Sequence, residues 1–413
     1  MVKKLLVAEF ALGVAAVLSS SQVLASQAAG EANGVAEKAS LENRVSALEE
    51  KAKEKTPFNI GPGAEAVYQY KDYNDRNKSK GGDFDIAKFI LHINGDFDNG
   101  LYYNTRWDWQ LATGKDFPAW MYVGYRLSPH WDFQAGLTEQ PFGAGYKGGV
   151  YFNSFMGDLP LYLGFDNNAD MGFKGLYSNG PLDVVLGAYK NPERQGQSGH
   201  YRPDVTALGT ITAPGTGTSF EANDEPINQV GGSVAYTLNK GSTYKTTVGV
   251  TARVGQLYNT ATDETGSHWG GAVFVSQQWS NWNFTLQALD YDYSPERPAG
   301  QNNDSIALSN GRLMPQVGTV YSSRITYDIP IAFGPYRSVT VFDDFDYLNS
   351  RSNDQFTGVN TTYNVAGFRF TSGHLFTWLT VQSGKNANVA FVGPDNNDGD
   401  WYHNFNFITG LYF

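Results

Sequence analysis

Residues 401–413 read Trp401-Tyr402-His403-Asn404-Phe405-Asn406-Phe407-Ile408-Thr409-Gly410-Leu411-Tyr412-Phe413. Character alternates with a period of two. Trp401, His403, Phe405, Phe407, Thr409, Leu411 and Phe413 share one side, and Tyr402, Asn404, Asn406, Ile408, Gly410 and Tyr412 share the other. Successive side chains of a strand point to opposite faces, so the segment reads as a strand with one aromatic face and one mixed, polar face. The stretch Tyr103–Leu111 repeats the pattern: Tyr103, Thr105, Trp107, Trp109 and Leu111 alternate with Asn104, Arg106, Asp108 and Gln110.

The same texture runs from Phe58 to the end. Sixteen such segments start near 60, 84, 100, 118, 131, 170, 181, 228, 244, 268, 281, 315, 337, 360, 373 and 401. Their connections alternate in kind. One set is tight and rich in turn formers: Asp98-Asn99-Gly100, Ser128-Pro129-His130, Ser178-Asn179-Gly180-Pro181, Asn239-Lys240-Gly241-Ser242, Ser280-Asn281 and Thr371-Ser372-Gly373. The other is long and hydrophilic, near 72–83, 139–169, 191–227, 258–267, 292–314, 348–359 and 385–400. Only 328–336, with its two prolines, blurs the short set, and only 113–117 the long one. Turns at one end and loops at the other are what a membrane-spanning β-barrel requires, and a sandwich has no reason to sort its loops so. A propeller would repeat every ~40–50 residues, and no such repeat is present. The sequence therefore predicts an all-β chain: a 16-stranded antiparallel transmembrane barrel over 58–413, with both termini on the turn side. Trp131, Trp269, Trp282 and Trp401, at strand ends, are placed for aromatic girdles.

Composition agrees. The 413 residues hold 46 glycines, above the usual ~7%, and 15% aromatics. Mean hydropathy is only −0.39, which a barrel tolerates because half of each strand faces water. With 30 Lys+Arg against 41 Asp+Glu the charge is −11, so no basic excess points to nucleic acid. There is no cysteine, which excludes disulfides, thiolate metal sites and a Cys nucleophile. The six histidines (92, 130, 200, 268, 374, 403) show no paired ligand spacing, and no GxSxG elbow occurs. Asp395-Asn396-Asn397-Asp398-Gly399-Asp400 resembles a calcium loop, but its glycine is fifth rather than sixth, and it reads as a solvated acidic loop. No metal, cofactor or enzymatic activity is expected.

The first 57 residues differ. Residues 1–25 read as an export signal: Lys3-Lys4, an apolar stretch Leu5–Leu18 interrupted by Glu9, and the small-residue site Val23-Leu24-Ala25. An uncleaved amphipathic helix is the alternative. Residues 26–57 read as a periplasmic helical segment in which Leu41, Val45, Leu48 and Ala52 form a heptad seam, short enough to need an oligomeric body behind it. A single solvated helix or linker is the alternative. Export and a barrel place the chain in the outer membrane of a Gram-negative bacterium, against lipid and lipopolysaccharide.

The terminal run Asn406–Phe413, ending in Phe413, resembles the outer-membrane protein terminus that the barrel assembly machinery reads. The layout resembles the sixteen-stranded trimeric porins. Within these, Leu137-Thr138-Glu139-Gln140-Pro141-Phe142-Gly143 is similar to a signature of the phosphate-selective porin O and P family. A coil before the barrel is also seen in sugar- and dicarboxylate-type porins. The resemblance implies a homotrimer with one water-filled pore per subunit, and a loop after the fifth strand that folds inward to narrow it.

The residues carry this further. The 139–169 connection is too long and too apolar (Tyr146, Tyr151, Phe152, Phe155) for a solvated loop, and its Asp158 and Asp166 are placed to face the wall and set a transverse field. An extracellular lid, or a cap on a subunit interface, is the alternative. Taking the polar alternation as inward, the lumen cations are Lys88, Arg106, Arg126, Lys174, Arg253, Arg324 and Arg369, against fewer clear acids, Asp108, Asp132 and Asp183. A basic wall favours anions. If each cation is instead paired with an acid, the wall is merely braced. The expectation is passive diffusion of small hydrophilic solutes, preferring phosphate or other small anions. Two alternatives stand: a sugar or general-diffusion porin, with Tyr102, Tyr122, Tyr189 and Tyr291 as its inward aromatics, or a structural or adhesion barrel with a blocked pore and a binding loop at 191–227.

Overall fold

The computed structural model describes residues 58–413 except 112–113, 147–153, 193–199, 213–218, 299–303, 355 and 395–396. The expected export signal and coil, together with Tyr151, Phe152, Asp395 and Asn396, lie outside the described residues.

The strands are β1 (Phe58–Lys71), β2 (Asp83–Asp96), β3 (Leu101–Gln110), β4 (Lys115–Arg126), β5 (Trp131–Glu139), β6 (Ala169–Asn179) and β7 (Leu182–Pro192). Then follow β8 (Gly209–Thr212), β9 (Ser219–Ala222), β10 (Asp224–Leu238), β11 (Tyr244–Asn259), β12 (Thr265–Trp279), β13 (Trp282–Ser294), β14 (Ser305–Ala307) and β15 (Leu313–Pro315). The last are β16 (Val317–Phe333), β17 (Tyr336–Ser350), β18 (Thr361–Ser372), β19 (Leu375–Lys385) and β20 (Trp401–Tyr412). Among the described residues two short α-helices, α1 (Asp75–Lys80) and α2 (Leu159–Tyr162), and a 3-10 turn at Asn388–Ala390 sit in loops.

All but β8, β9, β14 and β15 form one closed antiparallel barrel of sixteen strands, as expected. The quoted terminal segment closes it: β20 pairs with β19 on one side and β1 on the other, from Gly63↔Tyr412 to Lys71↔Asn404. Closure leaves no unpaired sheet edge, which is why a chain of low hydropathy can cross lipid. Among the described residues no helix is long and apolar enough to cross a membrane. The two excluded strand pairs are small hairpins within the β7–β10 and β13–β16 loops.

The faces sort as the alternation requires. Val123, Phe133, Phe173, Leu186, Val250, Val273, Leu379, Phe405 and Leu411 stand exposed on the outer wall. Trp131 and Trp282 flank the turn end, and Trp269 and Trp401 the loop end, all exposed. Asn404, Asn406 and Ile408 point inward and are buried.

Three readings need correction. Residues 328–336 are not an irregular connection: β16 runs through Pro330 with a register shift before Phe333, and the turn is Gly334-Pro335, where Gly334 takes φ +55°. The loop near 258–267 contracts to 260–264, because β11 and β12 pair out to Tyr258↔Thr265. The strand placed near 228 begins at Asp224, beyond a register irregularity between Ile227 and Val230 that broke the alternation. On β17 the adjacent acids part company: Asp344 and Asp346 are buried and point inward, whereas Asp343 is exposed on the outer face and accepts from Asn364 Nδ2 at 2.8 Å.

Candidate functional site

The β5–β6 connection, residues 140–168, enters the barrel. Its backbone is tied to the far wall by side chains: Gly143 N–H donates to Thr251 Oγ1 at 3.1 Å, Ala144 N–H to Gln287 Oε1 at 2.6 Å, and Leu159 N–H to Asp346 Oδ2 at 3.0 Å. Asp158 caps α2, accepting from Leu161 N–H at 3.0 Å. Phe142 and Phe165 pack together (ring centres 5.3 Å), Phe165 lies 5.0 Å from Tyr291, and Phe155 lies 4.8 Å from Trp378. Burial of these rings drives the loop inward, since water on both sides would leave them exposed.

Under the loop lies a charge cluster. Arg324 on β16 pairs with Asp158 and lies 3.7 Å from Asp166, both carried in by the loop. Asp344 and Asp346 of β17 are buried beside it. Arg253 on β11 donates to Gly164 O at 3.0 Å, Gln140 Oε1 at 3.2 Å and Tyr293 OH at 2.6 Å, and its guanidinium stacks 4.3 Å from the Phe165 ring centre. Arg253 and Arg324 therefore brace the loop. This corrects their reading as water-facing cations: each is 4% exposed or less, because the loop covers the wall they stand on, and Arg324 keeps only an edge on a turn-side cavity. Asp158 and Asp166 correct likewise, since they contact Arg324 directly and set no field across open water. Burial, reinforced by the Asp346 and Glu139 carboxylates and opposed by Arg253, pushes the Asp166 carboxyl well above the usual range.

The opposite wall borders a cavity. Among the described residues, a cavity of about 680 Å³ lies between the loop and strands β1–β6. Lys88 of β2, Arg106 of β3 and Lys174 of β6 line it together with the acids Glu65, Asp132 and Glu139 and the rings of Trp120, Tyr122, Tyr146 and Phe155. Tyr201, from the β7–β8 loop, also reaches in. Each cation has a partner. Lys88 Nζ lies 3.5 Å from both Glu65 and Asp108, Arg106 holds Asp108 with two bonds of 2.7 and 2.8 Å, and Lys174 Nζ donates to Glu139 O at 2.8 Å. In the carboxylate pairs the acid lies deeper: the side chains of Lys88 and Arg106 are 10% and 12% exposed, those of Glu65 and Asp108 at most 1%. A further cavity of about 420 Å³ on the loop side shares Phe155 and Tyr201 with this one.

Most of the other predicted residues fall elsewhere. Arg126 stands half exposed at the turn-side rim, paired with Asp96, its guanidinium 4.3 Å from the Tyr102 ring centre. Arg369 donates to Thr340 Oγ1 at 3.1 Å and lines a turn-side cavity with Lys245 and Asp328. Asp132 accepts from Tyr102 OH at 2.6 Å and borders the main cavity, and Asp183 lies 3.5 Å from Lys240. Of the four inward tyrosines, Tyr122 lines the main cavity, Tyr102 stands below it at ring distance 6.2 Å, and Tyr189 and Tyr291 are buried. Phe413 donates its N–H to Pro62 O at 2.9 Å, beside the barrel seam.

Glu65, Trp120, Glu139 and Tyr201 were not singled out from sequence. Glu65 and Trp120 sit on inward positions that the alternation supplies. Tyr201 belongs to a distant loop and carries no local signal.

Neither a protein family nor a curated protein matches the chain by sequence. Solved structures match it by shape. The outer membrane channel DcaP of Acinetobacter baumannii aligns with a TM-score of 0.53 at 13% identity, over 86% of this chain and 97% of that one. An anion-selective porin from Comamonas acidovorans gives 0.54 at 10% identity, over 86% and 99%, respectively. OprB of Pseudomonas putida gives 0.53 at 10%, over 90% and 96%. The likeness takes in porins and channels broadly and does not single out the phosphate-selective group. The chain has the sixteen-stranded barrel fold of the outer-membrane porins of Gram-negative bacteria.

Proposed function

We propose that this protein is a porin through which small hydrophilic solutes diffuse passively across the outer membrane, with a modest preference for anions. The observation that carries the preference is the ordering of the charge pairs at the cavity. Lys88 and Arg106 are the more exposed members of their pairs with Glu65 and Asp108; Asp108 is fully covered, while Glu65, with Asp132 and Glu139, also borders the cavity. A solute in the cavity thus meets the cationic end first, while the acids reduce the net field. The bias is smaller than that of an uncompensated basic ladder, which argues against a dedicated phosphate channel. The inward loop supports a size limit, since Phe155 and Tyr146 stand at the cavity. In this reading the barrel is a conduit with no catalytic role and assembles as a homotrimer in lipopolysaccharide-bearing membrane.

The test is the zero-current potential of the reconstituted protein under a salt gradient. Arg106→Ala combined with Arg126→Ala should shift it away from anion preference with assembly intact. An unchanged potential in the folded double variant would remove these residues from the mechanism.

A further inference from the structure

Cavity and charge pairs together hold more information than the sign of a field. Each cation at the main cavity stands against an aromatic ring. Lys88 Nζ lies 5.5 Å from the Phe155 ring centre and 5.9 Å from that of Tyr201. The Arg106 guanidinium lies 5.2 Å from Trp120 and 5.1 Å from Tyr201, and Lys174 Nζ lies 5.2 Å from Tyr146. Tyr122 extends the aromatic surface along β4 towards Tyr102. Rings thus surround a cavity of about 680 Å³, within the range of pockets that hold a small organic molecule, and cationic groups are set among them.

A strongly hydrated inorganic anion gains little here. Its gain is limited to the cations, which already serve Asp108 and Glu139 O, and the Glu65, Asp132 and Glu139 carboxylates on the same lining oppose it. A planar organic anion fits better. Its charge meets the same partly compensated cations, Lys88, Arg106 and Lys174, and its apolar body adds the gain of replacing water against the rings.

We infer that the main cavity is a transit site for small aromatic carboxylates, selected by Trp120 and Tyr122 acting as stacking surfaces and by Lys88, Arg106 and Lys174 acting as charge. This rests on the porin reading and names the solute class for its cavity. Both halves of the solute are needed. Acetate brings the charge without the ring, and benzyl alcohol the ring without the charge.

The experiment records single-channel current through the reconstituted full-length protein while benzoate, acetate or benzyl alcohol is added to one side. Benzoate should produce saturable current interruptions, and the other two should not. Trp120→Ala should weaken the benzoate effect about threefold to tenfold relative to the unaltered protein, with Trp120→Phe restoring most of it. Lys174→Gln should weaken it as well. Open channels on which benzoate and acetate act alike would overturn the inference and leave the porin reading standing. Benzoate interruptions unaffected by Trp120→Ala and Lys174→Gln in folded protein would overturn the site. An absence of channels from folded protein would instead sink the porin reading itself.

Discussion

At the scale of single residues, the decisive group is Arg324. It pairs with Asp158 from the loop and lies 3.7 Å from Asp166, with Asp344 and Asp346 buried alongside. Removing one partner of a buried ion pair strands the others, typically at about 3–5 kcal/mol. Arg324→Ala should therefore release the loop, lowering the thermal unfolding temperature in detergent and giving a larger, noisier conductance. Unfolding and conductance both unchanged would show that the loop is held by its rings alone. Asp166 adds a pH dependence. Its carboxyl is raised in the seated loop, so seating favours the protonated form, and the stabilisation present at low pH is lost as pH rises through the raised value. Current noise should grow on the alkaline side, and Asp166→Asn, which fixes the neutral form, should flatten that rise. Persistence of the full pH dependence in Asp166→Asn would assign it to another group. The sequence supplied the inward direction of Arg253 and Arg324 but not their burial, because alternation reports which face a residue takes and not what a distant loop lays over it.

At the scale of elements, the strands and the inward loop behave differently. Strand positions were legible because one face meets lipid and the other water, so a slip of one residue would invert every side chain. The errors fall where that rule is broken locally, at the irregularity before Val230 and at Pro330. The loop was legible as apolar and inward-turning, yet its seat was not, since its partners (Thr251, Gln287, Asp346) are each separated from it by more than a hundred residues. Close approach fixes that seat. A Cβ on Gly145 would lie 2.1 Å from Asp166 Oδ2, so Gly145→Ala should displace the loop and alter conductance while the barrel remains heat-modifiable on gels. Conductance equal to that of the unaltered protein would mean that the loop accommodates the methyl group and does not set the opening. Phe155 takes φ +64°, rare for a bulky residue, and holds it beside Trp378 with its ring on the cavity. Phe155→Ala should raise unit conductance, and a fall would place the narrowest point elsewhere.

For the whole molecule, sixteen strands, sorted connections and a closed seam make a barrel whose acidic total charge is a poor guide to its interior. The acids that give −11 are spread over loops, rims and buried pairs, and the members of the Lys88 and Arg106 pairs nearer the water are cations. What the whole chain does therefore depends on the path between the inward loop and strands β1–β6. The most direct measurement is single-channel conductance of the purified protein in a planar bilayer, with the zero-current potential under a KCl gradient. Stepwise openings with a weakly anion-selective potential are the predicted result. A cation-selective potential would contradict the ordering of the charge pairs, and no openings from folded protein would contradict the pore itself and favour a plugged, adhesive barrel.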